Sequence, residues 1–203
     1  MWLCSRLRLA FSFTQTNISA ETEKPFMMQI GILTTYDPVP AEVVEKVKLL
    51  GKALAEGGAV VITGGNGGLM TVVAEAASKA GGTTVGILAR ELEDIGPEHE
   101  WYNPYNTVKI RTGQTFTARS STVVRSSDAV IVVAGGVGTL TETAIAYNLR
   151  KPIVVLKGSG MMADRLPRLF PDGYLDHRRL VKIIFAEDPK EAAETAARLA
   201  KGP

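Results

Sequence analysis

The amino-acid sequence predicts an α/β domain, a doubly wound and mostly parallel sheet of about six to seven strands with helices on both faces. Three observations carry that expectation. Short β-branched runs alternate with segments of helical spacing, and parallel neighbours need crossovers of that kind. Two of the strand-to-helix junctions are rich in glycine. Finally, 203 residues with 45% hydrophobic content make one well-buried domain of ordinary size.

Residues 1–27 read unlike the rest. They carry Arg6, Arg8 and several hydroxyl residues, with no acidic residue before Glu21. Met27 and Met28 stand just ahead of the first strand pattern. The reading adopted is a dispensable extension from an upstream start, the other being a weak targeting segment. Residues 28–203 then form the domain.

The first strand is expected at Ile30–Leu33, followed by a polar turn, Thr34–Asp37, where a ligand can be met. Val43, Val47, Leu50 and Leu54 share one helical face, and Gly57 and Gly58 stop that helix. Ala59–Thr63 is the second strand. It runs into Gly64, Gly65, Gly67 and Gly68 before a helix expected from Leu69 to Ala80. Thr84–Leu88 is the third strand.

The stretch Ala89–Asn106 breaks the rhythm with Pro97, Pro104 and the aromatic set Trp101, Tyr102 and Tyr105. It reads either as a lid over a site or as a surface loop pinned by its aromatics. Val108–Arg111 makes a short fourth strand, Gln114–Ser126 a helix and Ala129–Val133 the fifth strand. A helix starting near Thr139 and a sixth strand at Pro152–Leu156 follow. Pro167 and Pro171 are expected to interrupt whatever helix Met161 begins, and Leu180–Phe185 to form the last strand. Asp188, Pro189 and Glu191 spell the capped start of a final helix.

The charge balance, 23 basic against 21 acidic residues, gives a net charge of only +2, which argues against nucleic acid as a partner. Cys4 is the one cysteine and lies outside the expected domain, so no disulfide framework or thiolate metal cluster is expected. His99 and His177 are not at ligand spacing, which argues against a metal site and a Ser-His-Asp triad. No stretch is long and apolar enough to span a bilayer, and a cytoplasmic protein is expected.

The stretch Ala134–Glu142, AGGVGTLTE, is the centre of the chemistry. Glycines at a strand end let backbone approach a ligand closely, and the first free amides of the next helix point at it. Phosphate is the expected occupant. The upstream turn repeats this logic, and in a parallel sheet both turns sit at carboxyl ends, where ligands bind. Each turn alone is also what a tight connection between packed elements looks like. Glu142, placed in the first turn of its helix, spells a capping box with Thr139; a carboxylate there should otherwise face the sugar or base end of a nucleotide. Arg119 and Arg125 share the preceding helix. Six residues at about 100° each place them about 120° apart, so only one faces the crevice.

The two blocks TGGNGGLMTVVAEAASKAGGTTVGIL (63–88) and TARSSTVVRSSDAVIVVAGGVGTLTE (117–142) resemble the Lonely Guy-like superfamily, long labelled lysine decarboxylase-like. The resemblance covers most of 29–156 and implies a Rossmann-like fold. In cytokinin-activating members it implies hydrolysis of the N-glycosidic bond of a nucleoside 5′-monophosphate, a phosphoribohydrolase activity. The motif PGGxGT-x-x-E matches its glycines at Gly135, Gly136 and Gly138, its threonine at Thr139 and its catalytic glutamate at Glu142. The motif's upstream arginine matches Arg119. Ligand contacts are expected from Gly64, Gly65, Gly67, Gly68, Leu69 and Met70, and from Thr34 and Thr35.

Departures from the family pattern are visible. Ala134 stands in place of the motif proline, Thr141 in place of a second glutamate, and TARS replaces the HERK-like setting of the arginine. These shift the match toward a short subfamily similar to molybdenum cofactor carrier proteins, which bind a pterin phosphate without hydrolysing it. Two readings follow: a nucleotide hydrolase needing no cofactor, or a carrier or nucleotide sensor with the molybdenum cofactor as a ligand. The resemblance also implies a homo-oligomer, a dimer or larger.

Overall fold

The structure is a computed structural model and describes residues 27–202. The extension expected over 1–27, with Cys4, lies outside the described residues apart from Met27.

Among the described residues the chain forms β1 (Gln29–Leu33), α1 (Ala41–Glu56), β2 (Val60–Thr63), α2 (Leu69–Lys79), β3 (Thr84–Leu88) and β4 (Val108–Arg111), with one 3-10 turn at Arg90–Leu92. It continues through α3 (Phe116–Arg125), β5 (Ala129–Val132), α4 (Val137–Asn148), β6 (Ile153–Leu156), α5 (Met161–Leu169), β7 (Ile183–Ala186) and α6 (Pro189–Ala200). The seven strands form one sheet in the order β4-β3-β2-β1-β5-β6-β7. Every pairing is parallel. This is the doubly wound, Rossmann-like architecture that the alternation predicts.

Side-chain alternation along the strands builds a core on each face. In β5, Ala129 and Ile131 pack with α1, α2 and α6, whereas Val130 and Val132 pack with α3, α4 and α5. The α1 positions expected to share a face, Val43, Val47, Leu50 and Leu54, are all buried. Each such side chain contributes about 1.5–3 kcal/mol by leaving water. Asp188 caps α6 as expected, accepting the Lys190 and Glu191 amides at 2.9 Å each.

Four local expectations are corrected. Pro167 does not break its helix: it lies in the last turn of α5, where one intrahelical bond is forfeited and the helix ends at Leu169 before Pro171. The last strand begins at Ile183 and not Leu180, because the chain turns at Arg179 (φ 50°) and the Leu180 amide donates to the Tyr147 hydroxyl at 3.1 Å. Helix α4 starts two residues early, with Gly136 as its N-cap, whose carbonyl accepts the Leu140 amide at 3.0 Å. The Thr139–Glu142 capping box is therefore not formed, and Glu142 sits in the second turn.

The strand order reverses between β1 and β5, which are neighbours although 95 residues of chain separate Leu33 from Ala129. Loops leaving the carboxyl ends of two such strands splay to opposite faces and leave a crevice between them. The turns after β1 and β5 meet there.

Candidate functional site

The crevice is a cavity of about 670 Å³. Its near wall comes from Thr34 and Thr35 after β1 and from Gly136, Gly138, Thr139 and Glu142 of the β5–α4 junction. Gly64, Asn66 and Met70 of the upstream turn, with Arg119 and Ser120 of α3, make the opposite wall. The two glycine-rich turns thus face one space, as the sequence predicts.

The glycine loop is shaped by what surrounds it. Ala134 and Gly135 both have left-handed backbone, with φ of 51° and 82°. The Ala134 amide donates to the Ser159 hydroxyl at 2.9 Å. The Ala134 and Gly135 carbonyls accept the Ala163 and Met162 amides of α5 at 3.0 and 2.8 Å. Because the first intrahelical bond of α4 is made by Leu140, the amides of Val137, Gly138 and Thr139 have no intrahelical acceptor. They form, with the positive end of the helix dipole, a cradle for an anion. The Thr139 hydroxyl donates to the Thr34 carbonyl at 3.1 Å and ties the β5 and β1 loops together, so this residue offers the anion its amide.

Arg119 and Glu142 both line the crevice, each feeling the other's charge without forming an ion pair. Arg119 is only 6% exposed and Glu142 9%. The guanidinium lies against Gly64, where any Cβ would overlap it. Its Nε is buried with no hydrogen-bond partner among the described residues. Burial lowers the Arg119 pKa, with the charges of Glu142 and Glu91 acting against it. Burial pushes the Glu142 carboxyl up to about 7, while the Arg119 charge and the Ser120 hydroxyl pull it down. The ion pairs among the described residues all lie elsewhere, on the surface. An unbridged cation and a half-titrated carboxyl in one cavity can bind an anionic group and exchange a proton near neutral pH. Arg125, on the other face of α3, is exposed, as the helical angle requires.

Other expected contacts fall differently. Gly65 faces a second hollow behind the turn. Gly67 packs under the Glu100 and Trp101 backbone, and Gly68 (φ 63°) under that of Tyr36, so these two shape the turn without lining the crevice. Leu69 is not a ligand contact: it opens α2 and points into the core. Thr35 closes its own turn by donating to the Asp37 carboxylate at 2.6 Å, while the Thr34 hydroxyl is buried without a partner among the described residues.

An aromatic wall went unread in the sequence. Tyr36 and Trp101 lie with ring centroids 4.8 Å apart, and Trp101 meets Phe116 edge-on at 6.4 Å. All three line the cavity. They come from three separate segments, so no local pattern joins them. The Ala89–Asn106 loop brings Trp101 to the crevice, and the Tyr105 hydroxyl donates to Glu75 on α2 at 3.1 Å and pins the loop. No helix among the described residues is long and apolar enough to cross a membrane.

Comparison with known proteins agrees with this geometry. The sequence model of the SLOG cluster4 family matches residues 27–193. A protein of Archaeoglobus fulgidus is 36% identical over 131 residues, which is 64% of this chain and 81% of that protein. The cytokinin riboside 5′-monophosphate phosphoribohydrolase of Mycobacterium tuberculosis is 28% identical over 83% of this chain and 92% of its own. Among solved structures, the molybdenum cofactor binding protein of Rippkaea orientalis superposes with a TM-score of 0.69 at 26% identity, covering 87% of this chain and 99% of that one. With the family model spanning both glycine-rich turns, Arg119 and Glu142, the chain belongs to the SLOG cluster4 family within the Lonely Guy-like superfamily.

Proposed function

We propose that the crevice binds a nucleoside 5′-monophosphate and hydrolyses its N-glycosidic bond, releasing the base and ribose 5-phosphate. The observation that carries this reading is the joint placement of Arg119 and Glu142, buried and unbridged, in the cavity under the β5–α4 amide cradle. The name of the Mycobacterium tuberculosis relative supports it.

In this reading the phosphate lies against the amides of Val137, Gly138 and Thr139, and a planar base lies on the Tyr36, Trp101 and Phe116 wall. The ribose then spans the floor over Glu142. As the C1′–N bond breaks, its electron pair leaves with the base and C1′ takes on oxocarbenium character. Glu142, as the carboxylate, stabilises that charge and accepts a proton from the water that adds to C1′, while the departing base takes up a proton. One water is thus divided between the two products, and the carboxylate is restored on release of its proton. Arg119 orients the substrate. Because the free carboxyl titrates at about 7, kcat/KM is expected to rise with pH through that value and then level off.

A second reading is binding of a phosphorylated pterin without turnover, with the same amide cradle in the cavity of about 670 Å³ holding its phosphate. The name of the Rippkaea orientalis structure is consistent with it. One experiment separates the two. Purified wild-type and Glu142→Gln proteins are incubated with a panel of nucleoside monophosphates and the products are chromatographed. Base and ribose 5-phosphate from the wild type alone are expected, with nucleotide binding retained in the variant. Binding without release by either protein would select the carrier reading.

A further inference from the structure

A second hollow of about 280 Å³ lies behind the wall of the crevice, at the carboxyl ends of β3 and β4. The two spaces share that wall. Gly64, Asn66 and Trp101 face the crevice, whereas Gly65, Tyr102 and Asn103 face the hollow. Asn103 donates to the Asn66 carbonyl at 3.3 Å and Asn106 to the Gly65 carbonyl at 3.0 Å, fastening the loop to the glycine turn.

The lining has three chemical parts. Leu88, Leu92, Ile95 and Pro97 give an apolar side. Lys109 and Arg111 are alternate residues of β4, so both project from one face of the strand, and both line the hollow. Lys109 leans on Tyr102, 4.4 Å from the ring centroid, with Nζ donating to the hydroxyl at 3.2 Å. Arg111 takes part in none of the ion pairs among the described residues. Glu93 also lines the hollow, its Oε1 accepting the Gly113 amide at 2.6 Å, which leaves Oε2 for another donor.

The third part is Asn106, which is 7% exposed and whose Oδ1 has no partner among the described residues. That oxygen is itself covered, with the amide packed over Gly86, so Asn106 closes the inner end of the hollow. A mere packing gap would be lined by apolar groups. This one carries two cations and a carboxylate beside an apolar side, at the end of a parallel sheet where such proteins bind ligands.

We propose that this hollow is a second small-molecule site, taking a small carboxylate with an apolar body and an N–H donor. A free apolar amino acid and a heterocyclic carboxylate share that chemistry. The ligand's carboxylate meets Lys109 and Arg111, its body lies on the leucine side, and its N–H donor faces Glu93. The site does not depend on what the crevice binds.

The test is calorimetric titration of the full chain with L-leucine and, separately, with pyrrole-2-carboxylate. Saturable binding of at least one probe is expected. Arg111→Glu should weaken it about tenfold or more, the loss of one charge-assisted hydrogen bond, and Arg111→Lys should restore most of it. Arg119→Ala, which alters the crevice, should leave it unchanged. Glu93→Gln separates the ligand types, weakening leucine alone if an ammonium is read there. No saturable heat with either probe, binding indifferent to Arg111→Glu, or binding lost in Arg119→Ala would each overturn the proposal.

Discussion

At the residue scale, Glu142 is held at odds with stability. Burial lifts its carboxyl from 4.5 to about 7, so the folded protein keeps a proton that the unfolded chain releases between those values. With more protons bound in the native state, stability falls as pH rises from about 4.5 and is constant again above about 7. The full shift corresponds to at most about 3 kcal/mol. Glu142→Gln removes the charge and keeps the shape. Its stability relative to wild type should therefore grow between pH 5 and pH 8, by about 1–3 kcal/mol, while turnover is lost. Urea unfolding of both proteins at the two pH values measures this directly. An equal difference at both would mean that Glu142 titrates as an exposed carboxylate. Arg119 is the counterpart: its burial was not legible in the sequence, but the 120° separation from Arg125 was, and that sufficed to give the crevice one arginine.

At the scale of elements, the β5–α4 junction shows why a motif departure is informative. Ala134 stands where the family pattern has proline, and its φ of 51° is one that proline's ring forbids. Its amide, which proline would lack, donates to Ser159. Ala134→Pro should thus lose about 3 kcal/mol or more and with it the anion cradle. Ala134→Gly gains left-handed freedom but gives up a buried methyl, and should stay within about 1 kcal/mol of wild type. Chemical denaturation together with inorganic phosphate titration distinguishes the two variants. A stable, phosphate-binding Ala134→Pro protein would show that the loop has another conformation. Most elements were legible because apolar spacing within each is local: Val43, Val47, Leu50 and Leu54 mark α1 without help from the rest of the chain. Of the misread ends, Leu180 is drawn out of strand geometry by the distant Tyr147, whereas the start of α4 is a local choice between neighbouring caps, taken by Gly136 and not Thr139.

At the scale of the whole molecule, strand alternation announces a parallel sheet but is silent on strand order, since pairing joins segments far apart in sequence. The order β2-β1-β5-β6 positions the crevice, because it brings the Thr34 turn beside the Gly136 loop. It also divides the site. The β4-to-β2 half of the sheet backs Gly64 and Asn66, the β5-to-β7 half backs Gly136 and Glu142, and α3 brings Arg119 over Gly64. A ligand held by both walls is bound only when both halves are folded, so it stabilises the whole domain by linkage. At a hundredfold excess over Kd that stabilisation is about 2.7 kcal/mol, or about 5–10 °C in Tm for a chain of this size. Ribose 5-phosphate should produce such a shift in the wild type and in Glu142→Gln, whose cradle and arginine are intact. In Arg119→Met, which keeps the aliphatic stem but loses the cation over Gly64, the shift should shrink by more than half. Equal shifts in all three proteins would mean that the Arg119 charge takes no part in holding the ligand and would remove its proposed role.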